Sequence, residues 1–338
     1  MSWAPACYEM ATPSDQHQTV LSGSHPEEFK IAALVFYSGV FLVGLSVNVT
    51  ALWVFSCTTK KRTTVTVYMM NVALLDLLFA LALPFRMVYY AKGDWPFGER
   101  LCHALGALVL LYPSLALWLL ALLSADRYMA VVQPKHAKEL KNTRKAVLAS
   151  AGVWGMTLVT TVPLLLRSAD PDKDASPATC RKLCDIVHLR ALTALGLTRL
   201  LLFFLVPLLI IAGSCASVIH SLLRGQASSL KPKVREKSVR IIATLLLQVL
   251  VCFVPFHVCL ALLTLRQEDS YSPWAAFATL LMSLSSCLDV ILYYIVSKQF
   301  QARVLSVMWY RNYLRSVRRK SFRSGSLRSL SNVNSDML

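Results

Sequence analysis

The chain has 338 residues, 56% of them hydrophobic and only 16% charged, with a formal net charge of +17. So apolar a composition excludes a soluble domain, and its clustering into membrane-length blocks marks an integral membrane protein. The positive charge then belongs to segments flanking the spans, where it suits anionic headgroups and acidic partner surfaces rather than nucleic acid.

Residues 1–28 are polar and lack a basic stretch followed by an apolar core, so no cleavable signal peptide is expected and the first helix acts as the insertion signal. Five blocks free of Asp, Glu, Lys and Arg follow: Ile31–Phe55, Ala104–Ala125, Ala146–Leu166, Leu200–Ile219 and Ile241–Leu265. Two more, Val65–Leu83 and Trp274–Val296, each carry one acid, Asp76 and Asp289. Each block has about the 20 residues a spanning helix needs, and spans of that length must be helical because lipid offers the backbone no partner. The expectation is an all-α bundle of seven transmembrane helices: an outer segment 1–28, a membrane domain 29–297, and a cytoplasmic part 298–338.

Of the 35 Lys and Arg residues, 24 fall in segments that are cytosolic if the N-terminus is outside, and 10 fall on the opposite side. The positive-inside rule therefore places the N-terminus outside and the tail in the cytosol. Only the outer cysteines Cys7, Cys102, Cys180 and Cys184 then meet an oxidising compartment. A bridge from Cys102, at the head of the third span, to Cys180 would pin the second outer loop over the bundle mouth. Cys184 competes for that partner, and Cys7 is left unassigned.

Counting about 1.5 Å per residue from the inner ends, Asn48, Asp76 and Asp289 fall at a similar depth near the bilayer middle. Two carboxylates in one low-dielectric layer cannot both stay ionised without a cation, so the layer predicts a bound sodium ion with Asp76 as its ligand, or a retained proton. A hydrogen-bonded packing layer without an ion is the plainer alternative. Prolines at 84, 113, 163, 207 and 255 each remove a backbone hydrogen bond and favour kinks, although single prolines are tolerated in membrane helices.

The third span ends in Asp126-Arg127-Tyr128, an acid and a base where charge is costly. Together with Asn48, Asp76, Trp95-Pro-Phe-Gly98, Cys102, Trp154, Pro207, Phe253-Val-Pro255-Phe-His257 and Asp289-Val-Ile-Leu-Tyr293, in this order, it makes the chain resemble a rhodopsin-like G protein-coupled receptor from residue 30 to about 305. The resemblance implies that Asp126 restrains Arg127 until the sixth helix tilts outward, with Tyr128 and Tyr293 part of the same switch, and that the partner is a heterotrimeric G protein of the inhibitory class. Three residues depart from the family pattern: Phe253 stands where tryptophan is usual, Val290 where proline is usual, and Arg235 where an acid often pairs with the triplet's arginine. The last two departures predict a loosely held inactive state with basal activity.

The ligand is read from charge. Val109 occupies the place of the aspartate that anchors amines in the family, so an amine is disfavoured. Arg199 interrupts the fifth span and Arg86 lies near the outer end of the second, beside a wall expected to include Tyr112, Phe253, Phe256 and His257. A cation in an apolar cavity wants an anionic head, and the remaining wall wants a chain. That combination suggests an anionic lipid, such as a fatty acid or acyl amino acid. Structural alternatives are snorkelling for Arg86 and a satisfied core imidazole for His257. A nucleotide or peptide is the competing ligand class, and an ion-coupled transporter the competing function.

After the seventh span, Phe300, Val304, Val307 and Met308 recur at helical spacing among polar residues, the pattern of an amphipathic helix lying on the inner leaflet. Ser321, Ser324, Ser326, Ser329 and Ser331 sit among basic residues, where phosphates would cancel charge and recruit arrestin. No metal spacing, phosphate-cradling glycine motif or nucleophile constellation suggests an enzyme, and the seventh span has no lysine for a retinal Schiff base.

Overall fold

The computed structural model describes residues 27–58, 62–92, 95–134, 142–168, 193–224, 232–266 and 273–306. Cys7, Cys180, Cys184, Val307, Met308 and the five tail serines lie outside them. The described residues form seven helices long and apolar enough to cross a membrane. They are α1 (Glu27–Trp53), α2 (Thr64–Lys92), α3 (Glu99–Val131), α4 (Thr143–Ser168), α5 (193–223), α6 (232–266) and α7 (Pro273–Val296), with a short helix α8 over residues 298–306.

The helices outrun the charge-free blocks because charged residues are welcome at the headgroup level. Thus α2 continues past Leu83 to Lys92, taking Arg86, Tyr89 and Tyr90 into the helix. The most apolar window of α3 is 78% buried against 28% for α4, so α3 is the core rod and α4 largely a lipid-facing one. Accordingly α3 packs on α2, α4, α5 and α6, while α1 packs on α2 and α7. Gly44 lets α1 approach α7, since a Cβ there would lie 3.3 Å from Ser286 Oγ. Outside the bundle core, Trp95 is tied by its indole N–H to Gly98 O at 2.8 Å, and Gly98 adopts φ 77°, which favours glycine.

Two of the five prolines sit just past a widened turn. Residues Leu201–Leu205 of α5 and Val249–Phe253 of α6 are π-helical, each ending one residue short of a proline, Pro207 and Pro255. In a π register residue 207 would donate to Leu202 O, and proline has no N–H to do so. Trp118 of α3 supplies the missing donor, its Nε1–H bonding Leu202 O at 3.0 Å. By contrast Pro84 and Pro113 lie within uninterrupted α-helix, and Pro163 lies within α4.

Candidate functional site

Three polar assemblies lie along the bundle axis, and α3 contributes to each. The middle one is the expected layer. Tyr293 of α7 donates to Asn48 Oδ1 at 2.8 Å and lies 3.3 Å from Asp76 Oδ2, while Asn48 Nδ2 donates to Gly44 O and Ser286 O. Tyr112 of α3 donates to Asp76 Oδ1 at 2.8 Å and stands 2.7 Å from Ser285 Oγ. Tyr112 was expected on the ligand wall; instead its ring stacks on Phe79 at 4.2 Å and its hydroxyl completes the layer. The cause is rotational: a phenol within reach of a buried carboxylate is better solvated by it than by an apolar wall. Asp289 is also buried here, but its Oδ1, like Oε1 of Gln248, finds no hydrogen-bond partner among the described residues.

Toward the outer end, Arg199 is buried with α3, α4 and α5 closed around it. It donates to Leu110 O at 2.8 Å, Ser114 Oγ at 3.0 Å and Thr161 Oγ1 at 3.1 Å, and its guanidinium lies 5.7 Å from the Phe203 ring centroid. None of those partners carries charge, and no ion pair to Arg199 occurs among the described residues. His257, on α6, stacks on Phe204 with ring centroids 4.6 Å apart and puts Nδ1 2.9 Å from Phe253 O. Phe253 and Phe256 are fully buried beside it. Arg86 is buried on α2 with its guanidinium 5.6 Å from the Tyr37 ring centroid on α1, whereas the contacts of Arg199 described above come from α3, α4 and α5.

At the inner end Asp126 accepts from Arg127 and, through its other oxygen, from Thr64 Oγ1 of α2. The carboxylate thus holds the guanidinium against α3 and is itself held by α2. The hydroxyl of Tyr128, third in the triplet, accepts from Gln133 Nε2. Tyr293, expected with this switch, belongs to the middle layer. A contact that sequence patterning missed joins α6 to α7: Lys237 Nζ donates to Val296 O at 2.7 Å. A lysine meeting the last carbonyls of a helix follows from the helix dipole, but only the fold brings the two ends together. Ser114, Thr161, Thr64 and Ser285 were missed for the same reason, being common residues whose partners come from other helices. Below the bundle, Phe300 of α8 is buried against Tyr293, and the Arg303 guanidinium lies 4.9 Å from the Trp53 ring centroid.

The geometry agrees with comparisons to known proteins. The family described as 7 transmembrane receptor (rhodopsin family) matches residues 47–293. The N-arachidonyl glycine receptor of Rattus norvegicus is 75% identical across 97% of this chain and its own full length, and that of Homo sapiens is 70% identical over the same shares. The lysophosphatidic acid receptor 5 of Bos taurus is 36% identical over 70% of this chain and 65% of that protein.

Proposed function

Because the chain belongs to the rhodopsin family of seven-transmembrane receptors, and is therefore a multi-pass plasma-membrane receptor coupled to a G protein, we propose that its ligand is an anionic lipid of the acyl amino acid or fatty acid class. The observation that carries this reading is Arg199, a buried cation whose described partners are all neutral and whose guanidinium lies over the Phe203 ring. A buried guanidinium without an anion is costly, and a ligand carboxylate would offset that cost. The names of the relatives point the same way, since arachidonyl glycine and lysophosphatidic acid are both anionic lipids. Membership of the receptor family sets aside the transporter alternative.

Within the same reading the N-terminus is outside, the G protein is of the inhibitory class, and arrestin engages the phosphorylated tail serines. Arg127, released from Asp126, meets the G protein once α6 moves. In the middle layer a sodium ion suits the donor set, which is all oxygen and includes Asp289 Oδ1 and Gln248 Oε1, both without a hydrogen-bond partner among the described residues. Asp76 and Asp289 would hold it.

The test is a G protein activation assay comparing an acyl amino acid with its neutral amide on the receptor and on Arg199→Ala. Loss of a charge-assisted hydrogen bond of about 1.5–3 kcal/mol predicts a fall in potency for the acid of about 10- to 100-fold, with a much smaller change for the amide. An equal change for acid and amide would mean that Arg199 is structural. Response to nucleotides alone would overturn the lipid assignment.

A further inference from the structure

The inner end of the bundle contains a cavity of roughly 460 Å³ whose chemistry the receptor's outer ligand does not explain. Three cations line it, Arg62 before α2, Arg127 of α3 and Lys237 of α6, together with the hydroxyl residues Thr63, Thr66 and Ser297. No acid is among its lining residues that the structure describes. Asp126 neutralises Arg127 from one side only, and Arg127 Nε, in a residue 9% exposed, has no hydrogen-bond partner among the described residues. Two helices also begin here. The first turn of α2 lies in the lining, and Ser297 caps α8 by accepting from Phe300 N at 3.2 Å, so the positive ends of both helix dipoles face the same space.

We propose that this cavity is a binding site for a phosphomonoester anion, supplied either by a soluble inositol phosphate or by a phosphoinositide headgroup of the inner leaflet. A multiply charged, multi-oxygen anion satisfies the forked guanidinium, the ammonium and the hydroxyls together, which a singly charged carboxylate does not. Bridging Lys237 of α6 to Arg62 and Arg127, it ties α6 to the core rod and so opposes the outward movement of α6 that G protein entry needs in the proposed function. The proposal is independent of what binds near Arg199.

The experiment uses the purified full-length receptor in phosphate-free detergent, without G protein, and follows thermal unfolding against inositol 1,4,5-trisphosphate, short-chain phosphatidylinositol 4,5-bisphosphate and a phosphoserine peptide of residues 318–331. The expected result is a saturable stabilisation by the trisphosphate and the lipid, abolished in the Arg62→Gln, Lys237→Gln double variant. Stabilisation by the lipid alone, with the same loss, supports the headgroup as source. Should the double variant fold poorly, the single Arg62→Gln change, at an exposed position, decides by weakening affinity about tenfold. Undiminished stabilisation in the variants, no stabilisation at all, or a response confined to the phosphopeptide would each overturn the proposal.

Discussion

A buried tyrosine hydroxyl must find an acceptor, and Tyr112 finds Asp76, which makes it the residue whose role depends most on rotation about a helix. Tyr112→Phe strands Asp76 Oδ1 and should lower stability by about 1–3 kcal/mol, read as a lower unfolding temperature in detergent. Sodium provides a second residue-scale prediction. Asp76→Asn should abolish any sodium dependence of agonist affinity that the unaltered receptor shows across a sodium titration; dependence persisting in the variant would place the ion elsewhere. Counting residues along each span was enough to bring Asn48 and Asp76 into one layer, because depth scales linearly with position in a helix. It could not say which way Tyr112 faces, since depth carries no azimuth, and α3 is buried nearly all round.

Among the elements, α5 and α6 share a device: a π turn followed, one residue on, by proline. In α5 the device has a cross-helix consequence, because the carbonyl that Pro207 cannot serve is bonded by Trp118. Trp118→Phe should therefore destabilise the bundle by about 1 kcal/mol, while the double change with Pro207→Ala, which restores a backbone donor, should recover most of it. Additive losses in that cycle would contradict the account. The prolines were legible as places where a backbone donor is lost, but the π turns of α5 and α6 were not, as they depend on which neighbour can receive the freed carbonyl. The inner end of α6 teaches a related lesson. From Arg235 the chain looks unlocked, yet Lys237 holds Val296 O and replaces a side-chain ion pair with a charge on a helix terminus. Lys237→Gln should raise ligand-free nucleotide exchange severalfold over the unaltered receptor in membranes, and an unchanged basal rate would remove Lys237 from the set of restraints.

On the scale of the molecule, one rod connects the parts: α3 carries Ser114 and the Leu110 carbonyl for Arg199, Tyr112 for the layer, and Asp126-Arg127 for the rim. The seven-helix architecture was evident from composition because lipid leaves the backbone few solutions. The outer site was legible only as its cations; that Arg86 meets Tyr37 of α1 while Arg199 meets α3 and α4 requires knowing which helices adjoin. A stimulus at Arg199 can bias the inner end only if the packing around α3 has two arrangements, so the account stands on release of Arg127. The most direct measurement is guanine-nucleotide exchange on an inhibitory-class G protein by reconstituted Arg127→Leu receptor, with folding and surface delivery verified. The account predicts exchange falling to the receptor-free rate with and without an acyl amino acid; exchange equal to that of the unaltered receptor would contradict it.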